Sequence, residues 1–138
     1  DMTIVGFNVN TIRAEIKKEH VERGINISST PTITNIEPKN IPGLSMSGVL
    51  SFSFDFTTKY EPDVGEIFLS GNVLYQQSET KAKKILDAWE KDKKVDDDAA
   101  VDVLNAIMRR CIAKGIELAV DLRLPPPITF PRVTKAKK

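Results

Sequence analysis

The sequence predicts an α+β fold in which two C-terminal helices pack on one face of a four-stranded antiparallel sheet. Apolar residues recur with a period of two in the first part of the chain and with a period of 3.6 in its last third. The strand patterns all precede the helix patterns, an order typical of α+β proteins. At 138 residues the chain is long enough for one domain with its own core.

The first two predicted strands are irregular. The segment 3–15 keeps one alternation up to Val9 and then changes parity at Asn10, which predicts a β-bulge or a bend. The second segment, 25–34, contains Pro31, whose nitrogen has no proton for a neighbouring strand. This strand is therefore expected to be interrupted or to lie at an edge of the sheet.

The next two strands show the clearest alternation and predict a hairpin. In 49–60 one parity carries large apolar and aromatic residues and the other carries small, polar or charged ones. The first set is Leu50, Phe52, Phe54, Phe56 and Tyr60, and the second is Ser51, Ser53, Asp55, Thr57 and Lys59. A turn that contains proline and glycine leads into 66–75. In this strand Phe68 and Leu74 lie on the face opposite the other apolar residues, so we expect both on the solvent side of the sheet.

Two helices follow. Ser78 is a suitable N-cap for a helix that ends near Lys94 and carries a single apolar stripe. The aspartates at 96–98 favour the start of a second helix, from about Ala99 to Leu122, because negative charge stabilises a helix N-terminus. Three consecutive prolines after Leu124 end it.

The second helix is apolar around more of its circumference than one sheet covers. The first helix is mostly charged and leaves much of this band uncovered. The sequence therefore predicts a homo-oligomer, a dimer or a tetramer, formed through the second helix; the alternative is a helix sunk in the core of a monomer. The residues predicted at this interface are Val101, Leu104, Met108, Cys111, Ile112 and Leu118.

Catalytic and metal-binding patterns are not found in the sequence. The single histidine, His20, lies in a charged link, and the single cysteine, Cys111, lies among apolar residues of a helix, where a thiol behaves as a small hydrophobe. The seven glycines form no nucleotide-binding spacing. We therefore expect no enzyme activity, no metal and no cofactor.

The charge and hydropathy of the sequence limit the classes of binding partner and the cellular location that we expect. The net charge of +1 argues against a nucleic-acid-binding protein, and the aromatic residues of 49–60 are interpreted as core. No apolar run is long enough to span a membrane, and no secretory signal is visible, so a soluble, cytoplasmic protein is expected. Residues 1–131 are expected to form the single domain and 132–138 a basic, disordered tail.

Apolar residues outside the predicted core indicate a surface that binds extended polypeptide, in an apolar groove or along a sheet edge. Some lie on the outer face of the hairpin, and others lie in the loop after the second strand or in the C-terminal tail. The residues predicted to bind polypeptide are Ile41, Leu44, Met46, Phe68, Leu74 and Phe130.

The segment from Leu124 to Phe130 reads L-P-P-P-I-T-F. It looks like a shortened form of the F-P-P-L-N-L-x-P-I-N-F segment that follows the second helix in the SecB family of export chaperones. Cys111 is similar to a cysteine that the family carries early in that helix. Together with the order of elements, these residues make the chain resemble the SecB family. It also resembles uncharacterised archaeal SecB-like proteins that start near T-I-V-G-F and end in L-P-P-P-I.

The resemblance implies a homotetramer built as a dimer of dimers, without cofactor or catalysis, that holds unfolded polypeptides in apolar grooves. Two departures from the family concern its SecA motor. The family is usually strongly acidic, whereas this chain has a net charge of +1, and the family's aromatic loop is replaced by 39–46, which contains no aromatic residue. These departures argue against coupling to SecA.

Three hypotheses follow for function. The leading one is a non-enzymatic, SecB-like protein that binds unfolded or extended polypeptides as a holdase-type chaperone. The alternative is an adaptor or antitoxin-like protein that binds one specific folded partner. A third is weak association with RNA through the basic tail, whose cations are Arg132, Lys135, Lys137 and Lys138.

Overall fold

The computed structural model describes residues 3–18, 24–40 and 48–128. The predicted binding residues Ile41, Leu44, Met46 and Phe130, and the predicted tail 132–138, lie outside this part of the chain. The strands are β1 (Thr3–Ile16), β2 (Asn26–Pro38), β3 (Val49–Glu61) and β4 (Gly65–Gln76), and the helices are α1 (Glu79–Asp92) and α2 (Asp97–Leu122). The four strands form one antiparallel sheet in the order β1-β4-β3-β2, so the predicted α+β fold is confirmed.

The two irregular strands are the edges of the sheet. The register between β1 and β4 shifts between Ile4 and Gly6 and again between Val9 and Thr11, and the second shift falls at the predicted change of parity. Pro31 lies within β2, whose single partner in the sheet is β3. An edge strand tolerates a proline because no neighbouring strand on its outer side needs a hydrogen bond from that residue.

The hairpin β3–β4 supplies about half of the core residues. Phe52, Phe54 and Phe56 are at most 1% exposed and face the helices. Their cross-strand partners Val73 and Leu69 are also fully buried. The aromatic residues of this strand are therefore core residues, as the alternation predicted.

Helix α1 packs on the sheet through one stripe. Ser78 caps it by accepting a hydrogen bond from the amide of Lys81. Ala82, Ile85 and Trp89 are buried on the sheet side, and the helix ends at Lys93, which adopts a left-handed conformation. This is the predicted stripe.

Helix α2 packs on the sheet along a face that includes Cys111, one of the six predicted interface residues. Ala99, Val103, Ile107 and Cys111 are spaced by four and at most 1% exposed. Cys111 was predicted at an oligomer interface, but it packs in the core of the single chain because its spacing from Ile107 places it over the sheet. The other predicted interface residues keep some exposure, and Val101 is 57% exposed.

The chain reverses after α2 and packs back against it. Arg123 adopts a left-handed conformation, and the amide of Leu124 donates to the carbonyl of Ala119. Leu124 is 9% exposed, and a Cβ on Gly115 would lie 3.2 Å from the ring of Pro127. The proline-rich segment is thus a packed strap within the described residues. None of the helices described is long and apolar enough to cross a membrane.

Candidate functional site

An open groove lies where the end of β2 and the start of β3 meet the first turns of α1. Its volume is about 270 Å³. We call it the α1 groove; its lining residues are Pro38, Lys39, Asn40, Gly48, Val49, Leu50, Glu79, Ala82, Lys83 and Leu86. The segment 41–47, which carries three of the predicted binding residues, is joined at both ends to residues of this groove.

The α1 groove has an apolar centre and a polar rim. Val49, Leu50 and Ala82 are at most 5% exposed, and Leu86 is partly buried against the core. Lys39 and Lys83 carry charge at the rim. A groove of this kind contacts an apolar side chain of a ligand while the rim stays in water.

Gly48 adopts a φ of 79° at the start of β3. A Cβ at this position would collide with the carbonyl oxygen of Gln77, just before the N-cap of α1. The carbonyl of Gly48 also accepts a hydrogen bond from the amide of Gln77, at 3.0 Å. Only glycine meets both demands, so this residue sets the distance between β3 and α1 at one end of the groove.

Phe68 lies on the outer face of the sheet, as predicted, and is partly buried. The guanidinium of Arg13 lies over its ring, 4.5 Å from the centroid. Around it is a cavity of about 470 Å³ that is also lined by Ile12, Ala14, Glu15 and Glu66. Half of the residues that line this cavity are charged, a larger fraction than in the α1 groove.

Leu74 lies on the same face of β4, where it covers Gly6 of β1. It lies six positions after Phe68 along the strand, which is about 20 Å in an extended chain. The structure therefore separates the two outer-face residues from each other. Their predicted role in polypeptide binding stays a prediction.

The outer side of α2 keeps apolar surface. Val101 and Val120 are 57% and 71% exposed, and Leu104, Met108 and Ile112 are partly buried. The helix is therefore apolar on the side that faces the sheet and on part of the side that faces away. This is the wide apolar band expected from the sequence.

Two titratable side chains near the helices, Cys111 and Tyr75, have pKa values that are raised by burial in the core. Burial raises the pKa of the Cys111 thiol to about 12, so the thiol stays protonated at neutral pH. Burial, and next the negative charge of Asp102, raise the pKa of Tyr75 to about 12. Within the described residues no group of three or more His, Cys, Asp and Glu side chains is placed to hold a metal ion.

The sequence did not identify the α1 groove as a site. Pro38, Leu50 and Leu86 come from three separate elements, and each has an ordinary structural role in its own pattern. One available signal was that the loop 39–48, rich in proline and glycine, carries isolated apolar residues. It led to the predicted residues of this loop but did not reveal the groove.

Comparison with known proteins found a similar structure but no similar sequence. No protein-family model matches the sequence, and no curated protein matches it. The structure is similar to that of the SecB-like chaperone Rv1957 of Mycobacterium tuberculosis, solved in complex with a ChAD peptide from the Rv1956 HigA1 antitoxin. The similarity covers 99% of this chain and 93% of that chain, with a TM-score of 0.61 and 13% sequence identity. The chain therefore has the fold of a SecB-like chaperone.

Proposed function

We propose that this protein is a non-enzymatic, SecB-like chaperone of the holdase type, which binds unfolded or extended polypeptides in the cytoplasm. The observation that carries the proposal is the α1 groove, which has an apolar floor and is flanked by Pro38 and Leu86. The fold supports it, because a protein of the same fold was solved with a bound peptide. A shared fold does not determine function, so the experiment below tests polypeptide binding in the groove itself.

The groove suits an apolar side chain on an extended backbone. Pro38 and Leu86 contribute apolar surface at its two sides, and the buried residues between them form its floor. Removing apolar surface of this kind from water contributes about 25 cal/mol per Å². One groove therefore gives weak binding, and we propose that Ile41, Leu44, Met46 and Phe130 add to it. Phe68 and Leu74 would contact a longer client that also reaches the outer face of the sheet.

The test is the aggregation of a chemically denatured client, followed by light scattering at a one-to-one ratio. We expect the wild-type protein to suppress aggregation and Leu86→Asn to need severalfold more protein for the same effect. Ile27→Asn is the matched control, because Ile27 is 37% exposed on β2 and lies outside both the groove and the outer side of α2. No suppression by the wild type would remove the proposal, as would a folded Leu86→Asn variant of full activity.

A second candidate function is favoured by one observation, the antitoxin peptide in the complex of the structural neighbour. By this proposal the chain is an adaptor or antitoxin-like interaction protein with one specific partner. It predicts that unrelated denatured clients aggregate unchanged, while a single partner binds at fixed stoichiometry in isothermal titration. Suppression of several unrelated clients would instead favour the holdase.

We also propose that copies associate through the outer side of α2. Val101, Leu104, Met108, Ile112 and Leu118 remain as interface residues, and their partial exposure supports this role. Met108→Glu would place a charge in this surface, so we expect it to lower the molar mass measured by light scattering at micromolar concentration. A monomeric wild-type protein would overturn this part of the proposal.

A further inference from the structure

The charged residues that line the α1 groove are two lysines and one glutamate, Lys39, Lys83 and Glu79. The segment 41–47, which joins the two strands that border the groove, contains no ionisable side chain. We propose that the α1 groove selects extended polypeptide segments in which an acidic residue lies within two positions of the apolar residue that enters the groove. The inference rests on the proposed function and deepens it, because it names the class of sequence that is bound.

Lys83 lies on the same side of α1 as the apolar residues of the groove. It follows Ala82 and precedes Leu86 by three positions, and all three line the groove. Lys83 is exposed, so its alkyl stem can cover apolar surface while the ammonium group stays in water. Among the described residues Lys83 forms no ion pair. Its charge is therefore available to a ligand in the groove.

Lys39 supplies the second positive charge from the sheet side of the groove. Its amide donates to the carbonyl of Val49 at 2.9 Å, which fixes its backbone beside the start of β3. Val49 and Leu50 of the apolar floor are at most 3% exposed. Lys39 is exposed and, in the part of the chain that the structure describes, also forms no ion pair. The groove therefore carries one cation on its sheet side and another on its helix side.

Glu79 does not cancel these two charges. It is the first residue of α1 after the N-cap Ser78, where the positive end of the helix dipole attracts a carboxylate. It also lies four positions before Lys83, a spacing at which opposite charges attract each other on a helix. The helix N-terminus thus partly balances the charge of Glu79, and two lysines against one glutamate leave the lining of the groove net positive.

An extended ligand brings acidic side chains within reach of these lysines. Side chains alternate along an extended chain, so residues two positions apart lie on the same side, about 7 Å from each other. When one apolar side chain occupies the floor, a carboxylate within two positions lies near the rim. Exposed ion pairs contribute little each, so we expect one pair to change the dissociation constant by roughly 1.4-fold to fivefold. The rim charges therefore discriminate between apolar segments, whereas the floor provides most of the affinity.

Peptide binding tests this preference. Three fluorescent peptides share an apolar centre of leucines and carry aspartates, asparagines or lysines on both sides of it. By fluorescence anisotropy at low salt, we expect the aspartate peptide to bind at least about fivefold more tightly than the lysine peptide, with the asparagine peptide between them. High salt should bring the three dissociation constants together. Equal constants at low salt would overturn the inference and leave the proposed function intact, whereas no binding of any peptide would overturn both.

Charge reversal assigns the preference to the groove. Lys83→Glu should reduce the ratio of the lysine-peptide constant to the aspartate-peptide constant to about one or less, and Glu79→Gln should raise it. Lys91→Glu is the matched control and should keep the wild-type ratio, because Lys91 is exposed on the same helix, about 12 Å further along its axis and outside the groove. Each ratio compares two peptides on one protein, so a partly unfolded fraction does not change it. Equal ratios for Lys83→Glu and Lys91→Glu would overturn the inference.

Discussion

The hydroxyl of Tyr60 donates a hydrogen bond of 2.6 Å to the carbonyl oxygen of Pro125. Tyr60 is fully buried at the end of β3, whereas Pro125 belongs to the strap after α2. The bond therefore joins the C-terminal end of β3 to the proline-rich strap that follows α2. It also holds the strap where Leu124 covers Gly65 of the hairpin.

Tyr60→Phe should therefore lower the free energy of unfolding by about 1 kcal/mol at pH 7, the usual contribution of one such hydrogen bond. The ring stays in the core, so the loss is confined to the hydroxyl. Urea denaturation measures the change. An unchanged free energy would mean that the strap is held by packing alone.

The same residue makes stability depend on alkaline pH. Burial raises the pKa of Tyr60 from 10.0 to about 12. Between these values the phenol ionises in the unfolded chain but not in the folded one, so the free energy of unfolding falls as the pH rises from about 10 to about 12. Tyr60→Phe removes this contribution. Its stability at pH 11 relative to pH 8 should fall less than that of the wild type, and an equal fall would contradict the assignment.

The inner side of α2 can be identified by truncation. Val103 is fully buried, so Val103→Ala should cost about 2 kcal/mol of unfolding free energy through lost burial and a cavity. Val120 is 71% exposed, and Val120→Ala should change it by less than about 0.5 kcal/mol. Thermal and urea denaturation of both variants give the loss of unfolding free energy on the inner and outer sides of α2. Equal losses would mean that the helix is oriented differently.

The contrast between Val103 and Val101 shows why the sequence predicted the sheet better than this helix. In β3 polar residues alternate with apolar ones, so the inward parity is unambiguous. In α2 both the sheet-facing and the outward residues are apolar, and spacing alone does not tell which side the sheet covers. Cys111 was therefore placed on the wrong side. The α1 groove depends on Leu50 and Leu86 being neighbours in space, which local patterns do not report.

Gly71 allows β1 to approach β4 at the point where β1 is bulged. A Cβ at this position would collide with the carbonyl oxygen of Asn8. Gly71→Ala should therefore destabilise the protein by about 3 kcal/mol or more, because the clash is with backbone. Gly24→Ala is the control: its φ of 75° costs about 1 kcal/mol, and no atom lies within 4 Å of the added carbon. A mild effect at Gly71 would mean that β1 moves away without loss of pairing.

The indole of Trp89 donates a hydrogen bond of 3.3 Å to the side-chain oxygen of Asn35, which joins α1 to the edge strand β2. Trp89→Phe keeps an aromatic ring in the core and removes the donor, and Asn35→Ala removes the acceptor. Each change should cost about 1 kcal/mol or less. The double variant should cost less than the sum of the two, by about 0.5 kcal/mol, since the bond is lost only once. Urea denaturation of the four proteins gives this coupling energy, and strict additivity would show that the bond does not hold α1 in place.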